Sequence, residues 1–248
     1  MKILAIGNSF SEDATTFLYD IATSGGMSCK VVNLCIGGCP LSLHAENVRD
    51  DNHSYLYQLN GKSLEGKWVS IKETLLEEEW DIITMQQVSS LSGIYDSYFP
   101  HIYVVNNCIK EYCPAAKRML HETWSYEVDT EHPGFANYGN NQRAMYEAIV
   151  SANRVISDGL GLEIIPTGHL IQKIREESVL FDYKKSGISL CCADGFHLDR
   201  LHGRYAAAAL WYKQLFGGDI MKNDFVPQIE EMETDVSLIS EIKRFVAL

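Results

Sequence analysis

The sequence predicts an α/β domain built on a parallel sheet wrapped by helices on both faces. Short apolar runs rich in β-branched residues recur along the chain, and stretches of helical period separate them. The 248 residues, 46% of them hydrophobic, suffice for one large core and hardly for two. One domain over residues 1–248 is expected, with no repeat, low-complexity tract or Pro/Gly-rich linker to divide it.

The first strand is "KILAIG" at 2–7, which stops at Gly7 and turns into the small polar residues of "NSFSED" before a helix over about 12–24. "KVVNLCI" (30–36) is the second strand. The piece "SYLYQLNGKSLEGKWVSIKETLLEEE" then breaks the rhythm, because "YLYQL" and "KWVSI" flank Asn60-Gly61 and Gly66 as the arms of a β-hairpin do. A hairpin inserted over about 54–71, decorating the rim before a further helix, is expected. "DIITMQ" (81–86), "KRMLH" (117–121) and "LEIIP" (162–166) complete a five-stranded parallel sheet. Helices over about 98–112, 140–158 and 168–177 alternate with these strands, and a last pair lies near 200–216 and 235–247.

A formal net charge of −12, with no cluster of Lys and Arg, argues against a nucleic-acid partner. The run after Lys2 is too short for a signal-peptide core or a membrane span, so a soluble, cytoplasmic protein is expected, without membrane association. The seven cysteines cannot all pair and form no C-x-x-C motif, which fits a reducing compartment.

In an open parallel sheet, ligands bind beyond the carboxyl ends of the strands, where the strand order reverses. Ser9 should stand at that mouth, and its own stretch fits either a nucleophile or a helix cap. A base is offered far along the chain in "CCADGFHLDRLHGRY". There Asp194 and His197 are three residues apart, so the carboxylate can hold the imidazole Nδ1–H while Nε2 faces outward. Asp199 and His202 repeat the spacing, but Asp199 lies where the last long helix begins and is best explained as its cap.

"GNS" after the first strand and "DGFH" before the final long helix resemble the first and last blocks of the SGNH, or GDSL-type, hydrolases, and the blocks appear in the same order. The resemblance implies a flavodoxin-like three-layer α/β/α sandwich and a serine esterase needing no cofactor. By it Ser9 would be the nucleophile, His197 the general base and Asp194 its orienting carboxylate. Within "NLCIGGCP", Gly38 aligns with the glycine whose N–H joins that of the serine in the oxyanion hole, with Gly37 as the fallback. Where the family shows Gly-x-Asn-Asp this chain has "MQQVSS", so the resemblance transfers the third donor to Gln86 or Gln87; Gln86, nearest the strand end, is preferred. Glutamine in this region resembles superfamily branches of which several act on acetylated sugars. A small acyl ester, with an O-acetylated carbohydrate as the leading example, is the implied small-molecule partner.

"LHETWSYEVDTEHPGF" follows the fourth parallel strand, so Trp124 and Tyr126 are expected to overhang the mouth and meet the substrate. His121, Glu122, His132, Cys191 and Cys192 lack the spacing of a structural or catalytic zinc site, and no metal is expected. His44 and His53 are read as surface or rim residues. Two rival readings remain open: a non-catalytic flavodoxin-like module that holds an anion at "GNSFS", and a metal-dependent hydrolase using Asp and His ligands.

Overall fold

The computed structural model describes residues 1–230 and 232–248. In chain order the elements are β1 (Lys2–Gly7), α1 (Ser9–Thr15), α2 (Leu18–Ser24), β2 (Lys30–Cys35), α3 (Leu41–Asp50), β3 (Tyr55–Leu59), β4 (Lys62–Val69) and α4 (Ile71–Glu77). They continue with β5 (Ile82–Met85), α5 (His101–Tyr112), β6 (Lys117–His121), α6 (Gln142–Leu160), β7 (Glu163–Ile165), α7 (Thr167–Glu177), α8 (His202–Phe216) and α9 (Val236–Ala247).

The strands form one sheet of order β4-β3-β2-β1-β5-β6-β7. β2, β1, β5, β6 and β7 run parallel, while β3 pairs antiparallel with β2 and with β4. The sheet thus has seven strands and not five, because the two hairpin arms join the five parallel ones. The inserted hairpin does not decorate the rim; Val32 pairs with Leu59 and Cys35 with Leu56, so it prolongs the sheet beside β2.

Strand alternation divides the core in two. Ile3 and Ala5 of β1 face a layer that includes α1, α2, α7, α8 and α9, and Leu4 and Ile6 face α3, α4 and α5. α6 closes the remaining flank, with Met145 and Ile149 in the first core and Ala152 and Ile156 in the second. Each such buried Ile, Leu or Met side chain contributes roughly 1.5–3 kcal/mol.

Two departures from the sequence reading have local causes. The expected helix over 12–24 begins earlier and breaks in two: Asn8 is the cap, its side chain accepting from Phe10 N–H, so Ser9 becomes the first helical residue and is released from capping. α3 was not legible because polar residues occupy its inner face; His44 and Asn47 are buried there and bond the Tyr55 hydroxyl at 2.7 and 3.3 Å. His44 is therefore a core residue and not a rim one, whereas His53 lies on the surface, 3.2 Å from Glu73.

Candidate active site

β1 is flanked by β2 on one side and β5 on the other, so the chain reverses its direction of travel across the sheet at the carboxyl end of β1. Gly7 sits there because nothing larger fits: a Cβ would meet Ser11 Oγ at 2.5 Å and Gln86 Cδ at 2.9 Å. Asn8 then ties the end of β1 to two neighbouring turns. Its Oδ1 caps α1 through Phe10 N–H at 3.0 Å, and its Nδ2 donates to the Cys39 carbonyl at 3.1 Å, joining α1 to the turn after β2. In that turn Cys39 N–H closes onto the Ile36 carbonyl at 3.1 Å and Gly38 has φ +65°. A left-handed third residue is where a type II turn calls for glycine, and the closing bond leaves the Gly38 N–H unused. Ser9, as the first residue of α1, likewise has no intrahelical acceptor for its N–H.

The structure brings Ser9, His197 and Asp194 into one hydrogen-bonded line. His197 Nε2 lies 2.8 Å from Ser9 Oγ, and His197 Nδ1 lies 2.8 Å from Asp194 Oδ2. The other carboxylate oxygen of Asp194 accepts the N–H groups of Phe196 and His197 at 2.9 and 3.0 Å. Burial alone would push the Asp194 pKa up, but those N–H bonds and the His197 ring outweigh it and hold the carboxyl below its ordinary value. Gly195, at φ +74°, makes the tight turn between them and packs so closely on Thr130 that a Cβ would fall 2.7 Å from its Cβ. Asp199 accepts from the N–H groups of Leu201, His202 and Gly203, so it serves the start of α8, and its histidine, His202, makes no approach to Ser9.

Residues outside the Ser9–His197–Asp194 line hold this loop, and of these the sequence reading singled out Trp124 alone, for another role. Trp124 Nε1 donates to the Phe196 carbonyl at 2.7 Å, Thr130 Oγ1 to the Asp194 carbonyl at 2.8 Å, and Glu127 N–H to the Gly195 carbonyl at 2.6 Å. Asp13 accepts the Leu198 N–H at 2.9 Å and pairs with Arg204 at 2.8 Å. Its position one helical turn beyond Ser9 is the signal that the sequence offered. Below the loop, the buried pair Arg175–Glu127 ties to Cys191 Sγ and Ser189 Oγ.

Four expected site residues are placed otherwise. Gln86 and Gln87 are buried with both ends of each amide engaged: Gln86 bonds Asn8 Oδ1 and His121 Nδ1, and Gln87 bonds Ser97 together with the N–H groups of Leu41 and Val88. Neither lines the cavity over Ser9. Trp124 and Tyr126 do not overhang the mouth; both are fully buried, Trp124 stacked on Phe10 with ring centroids 4.2 Å apart and Tyr126 bonded to Ser89 Oγ at 2.8 Å. The segment after β6 runs beneath the Ser9 helix, so its aromatics support the site from below.

A cavity of about 320 Å³ opens over Ser9, with Phe10, Gly37, Gly38, Val88, His132 and Phe196 among its walls. A larger depression of about 610 Å³, around Lys2 and Trp80, lies at the opposite end of the strands. Among the described residues no group of three or more His, Cys, Asp or Glu side chains gathers as a metal site requires, and no helix is long and apolar enough to cross a membrane.

Residues 2–242 match the family model DUF4886, a domain of unknown function. A DUF4886 family protein from Bacteroides uniformis is 34% identical, with a TM-score of 0.89 over 100% of this chain and 93% of its own. The fold is also that of a candidate SGNH hydrolase from Slackia heliotrinireducens, at 19% identity and a TM-score of 0.58 over 87% and 98% of the two chains. An acetyl xylan esterase variant from Geobacillus stearothermophilus shares it at 11% identity and a TM-score of 0.54, over 92% and 97%. No curated protein matches the sequence.

Proposed function

We propose that this chain, which belongs to the DUF4886 family, is a serine esterase that cleaves a small, uncharged acyl ester. The observation that carries the reading is the line Ser9 Oγ–His197 Nε2 and His197 Nδ1–Asp194 Oδ2, both spans 2.8 Å. A hydroxyl within reach of an imidazole that a carboxylate orients is the arrangement that makes serine nucleophilic.

In the proposed reaction, Ser9 Oγ attacks the ester carbonyl carbon as its proton passes to His197 Nε2. The charge on the carbonyl oxygen rests on the N–H groups of Ser9 and Gly38, which border the same cavity and come from the two backbone turns that Asn8 joins. When the tetrahedral species collapses, the alcohol departs with the proton from His197. Water then attacks the acyl-Ser9 carbonyl, giving one proton to His197; collapse breaks the bond to Ser9 Oγ, which recovers that proton, and the carboxylic acid leaves. Among the described residues no Lys, Arg, Asp or Glu side chain lines the cavity, which supports an uncharged substrate. An acetyl ester of a carbohydrate suits the cavity size.

The test is the purified chain with a fluorophosphonate probe and with p-nitrophenyl acetate, without added metal. Wild type is expected to be labelled and to turn over, and Ser9→Ala to lose both. Labelling or turnover that survives in Ser9→Ala overturns the assignment, and activity that a chelator removes and zinc restores favours a metal hydrolase.

A further inference from the structure

The mechanism uses one histidine of the cavity wall, and a second remains. His132 lines the cavity alongside Ser9 and His197, half-buried, on the stretch that precedes the short 3-10 turn Pro133–Tyr138. Its ring packs edge-on against Phe196, with centroids 4.8 Å apart, and Phe196 in turn packs against His197 at 4.3 Å. Tyr126 packs against the same ring, with centroids 4.8 Å apart. His132 therefore stands on the His197 side of Ser9.

The tautomer of His132 is set locally. Nδ1 accepts the Gly134 N–H at 3.0 Å, capping the 3-10 turn, so in the neutral ring the proton resides on Nε2. Burial and the neighbouring His197 lower the pKa of His132 and outweigh an opposing pull from Asp194, which favours the neutral ring. Among the described residues Nε2 has no protein partner, so a fixed N–H donor is left on the wall of a largely apolar cavity.

We propose that His132 selects the alcohol half of the ester, its Nε2–H donating to an oxygen that stands next to the scissile bond, as the hydroxyls and ring oxygens of a sugar or polyol do. The inference rests on the esterase reading. In that reading His197 must hand its proton to the departing alkoxide, so the alcohol half lies over the His197 side, where His132 stands. The oxyanion donors are the backbone N–H groups of Ser9 and Gly38, which leaves the His132 Nε2–H available to the alcohol.

The experiment compares two acetyl esters of similar ring size, a mono-O-acetyl methyl xyloside and cyclohexyl acetate, as a ratio of kcat/KM. Wild type is expected to prefer the sugar ester about tenfold or more, and His132→Phe to lose most of that ratio, the size of effect one neutral hydrogen bond supplies. His132→Asn separates the donor from the fold, since an Asn carboxamide oxygen can still cap Gly134 N–H while its shorter side chain withdraws the distal donor. It is expected to match His132→Phe in the ratio while keeping the wild-type melting temperature. A wild type without preference, or a His132→Asn variant that retains it, overturns the proposal. Hydrolysis of both esters by Ser9→Ala would instead remove the reading beneath it, and a fluorophosphonate label on Ser9 in each His132 variant keeps the two failures distinct.

Discussion

Asp13 accepts the backbone N–H of Leu198 at 2.9 Å, so the helix that begins with Ser9 also grips the chain immediately after His197. Hydroxyl and imidazole are thereby registered by one rigid element, with Arg204 of α8 closing the joint at 2.8 Å from the same carboxylate. A registration error at either residue would lengthen the Ser9–His197 bond, and an ångström there is costly to a positioned proton transfer.

The Asp13 joint should be visible in the pH dependence of stability. Burial pushes the Asp13 carboxyl up to about 6, opposed by Arg204 and the Leu198 N–H, from an ordinary value of 3.8. The folded state then holds a proton that the unfolded state has released between those values, so this contribution is fully present below pH 3.8 and is lost as pH rises through about 6. Asp13→Asn cannot titrate, and its stability relative to wild type should rise by about 3 kcal/mol across that window. Urea titrations at several pH values measure it, and parallel pH profiles for the two proteins would contradict it.

Gln87 should matter to folding and not to the reaction. Its Oε1 accepts from Leu41 N–H at the start of α3 at 2.9 Å and from Val88 N–H at 2.8 Å, and its Nε2 donates to Ser97. Gln87→Ala leaves those buried groups unpaired, at an expected loss of about 1–3 kcal/mol, while kcat on an acetyl ester stays within a few-fold of wild type. The hundredfold or greater fall that removal of an oxyanion donor typically brings would restore the role that its bonding denies it.

Beneath the site, Arg175 and Glu127 are both nearly inaccessible and lie 3.5 Å apart, with Glu127 N–H also holding the Gly195 carbonyl. Arg175→Met strands a buried carboxylate and is expected to cost about 3–5 kcal/mol. The double variant with Glu127→Gln should recover part of that loss, because no unpaired charge then remains. Chemical denaturation of the three variants forms a double-mutant cycle, and additive effects would show that the pair is not coupled.

Local pattern made much of this protein legible. The alternation of β-branched runs with helical periods marks the five parallel strands, because burial on both faces of a wrapped sheet demands continuous apolar character. Asp194 and His197 could be paired on paper because their contact is made within a three-residue turn, which backbone geometry alone confines. Ser9 could be placed beside a mouth because the end of a strand in such a sheet is a defined location. The hairpin could be read from Asn60-Gly61, though its docking onto β2 could not, since pairing between distant strands leaves no periodic trace.

Tertiary structure decided everything that depends on where a side chain turns after its strand has ended. "MQQ" contains two amides with no regular backbone to set their direction; Gln86 turned inward because Asn8 and His121 presented partners there, and Gln87 turned to Leu41 and Ser97. Trp124 is an aromatic near the mouth in sequence and a buried brace in space, its face taken by Phe10 and its N–H by the Phe196 carbonyl. The 2.8 Å contact between Ser9 and His197 joins residues 188 positions apart, and only the packing of α1 against α8, pinned by Asp13 and Arg204, brings them together. Period and turn chemistry act over a few residues, so the sequence by itself determined the elements and the chemistry each one carries. The meeting of those elements, and the partner each polar side chain found, came from the long-range packing of the folded chain.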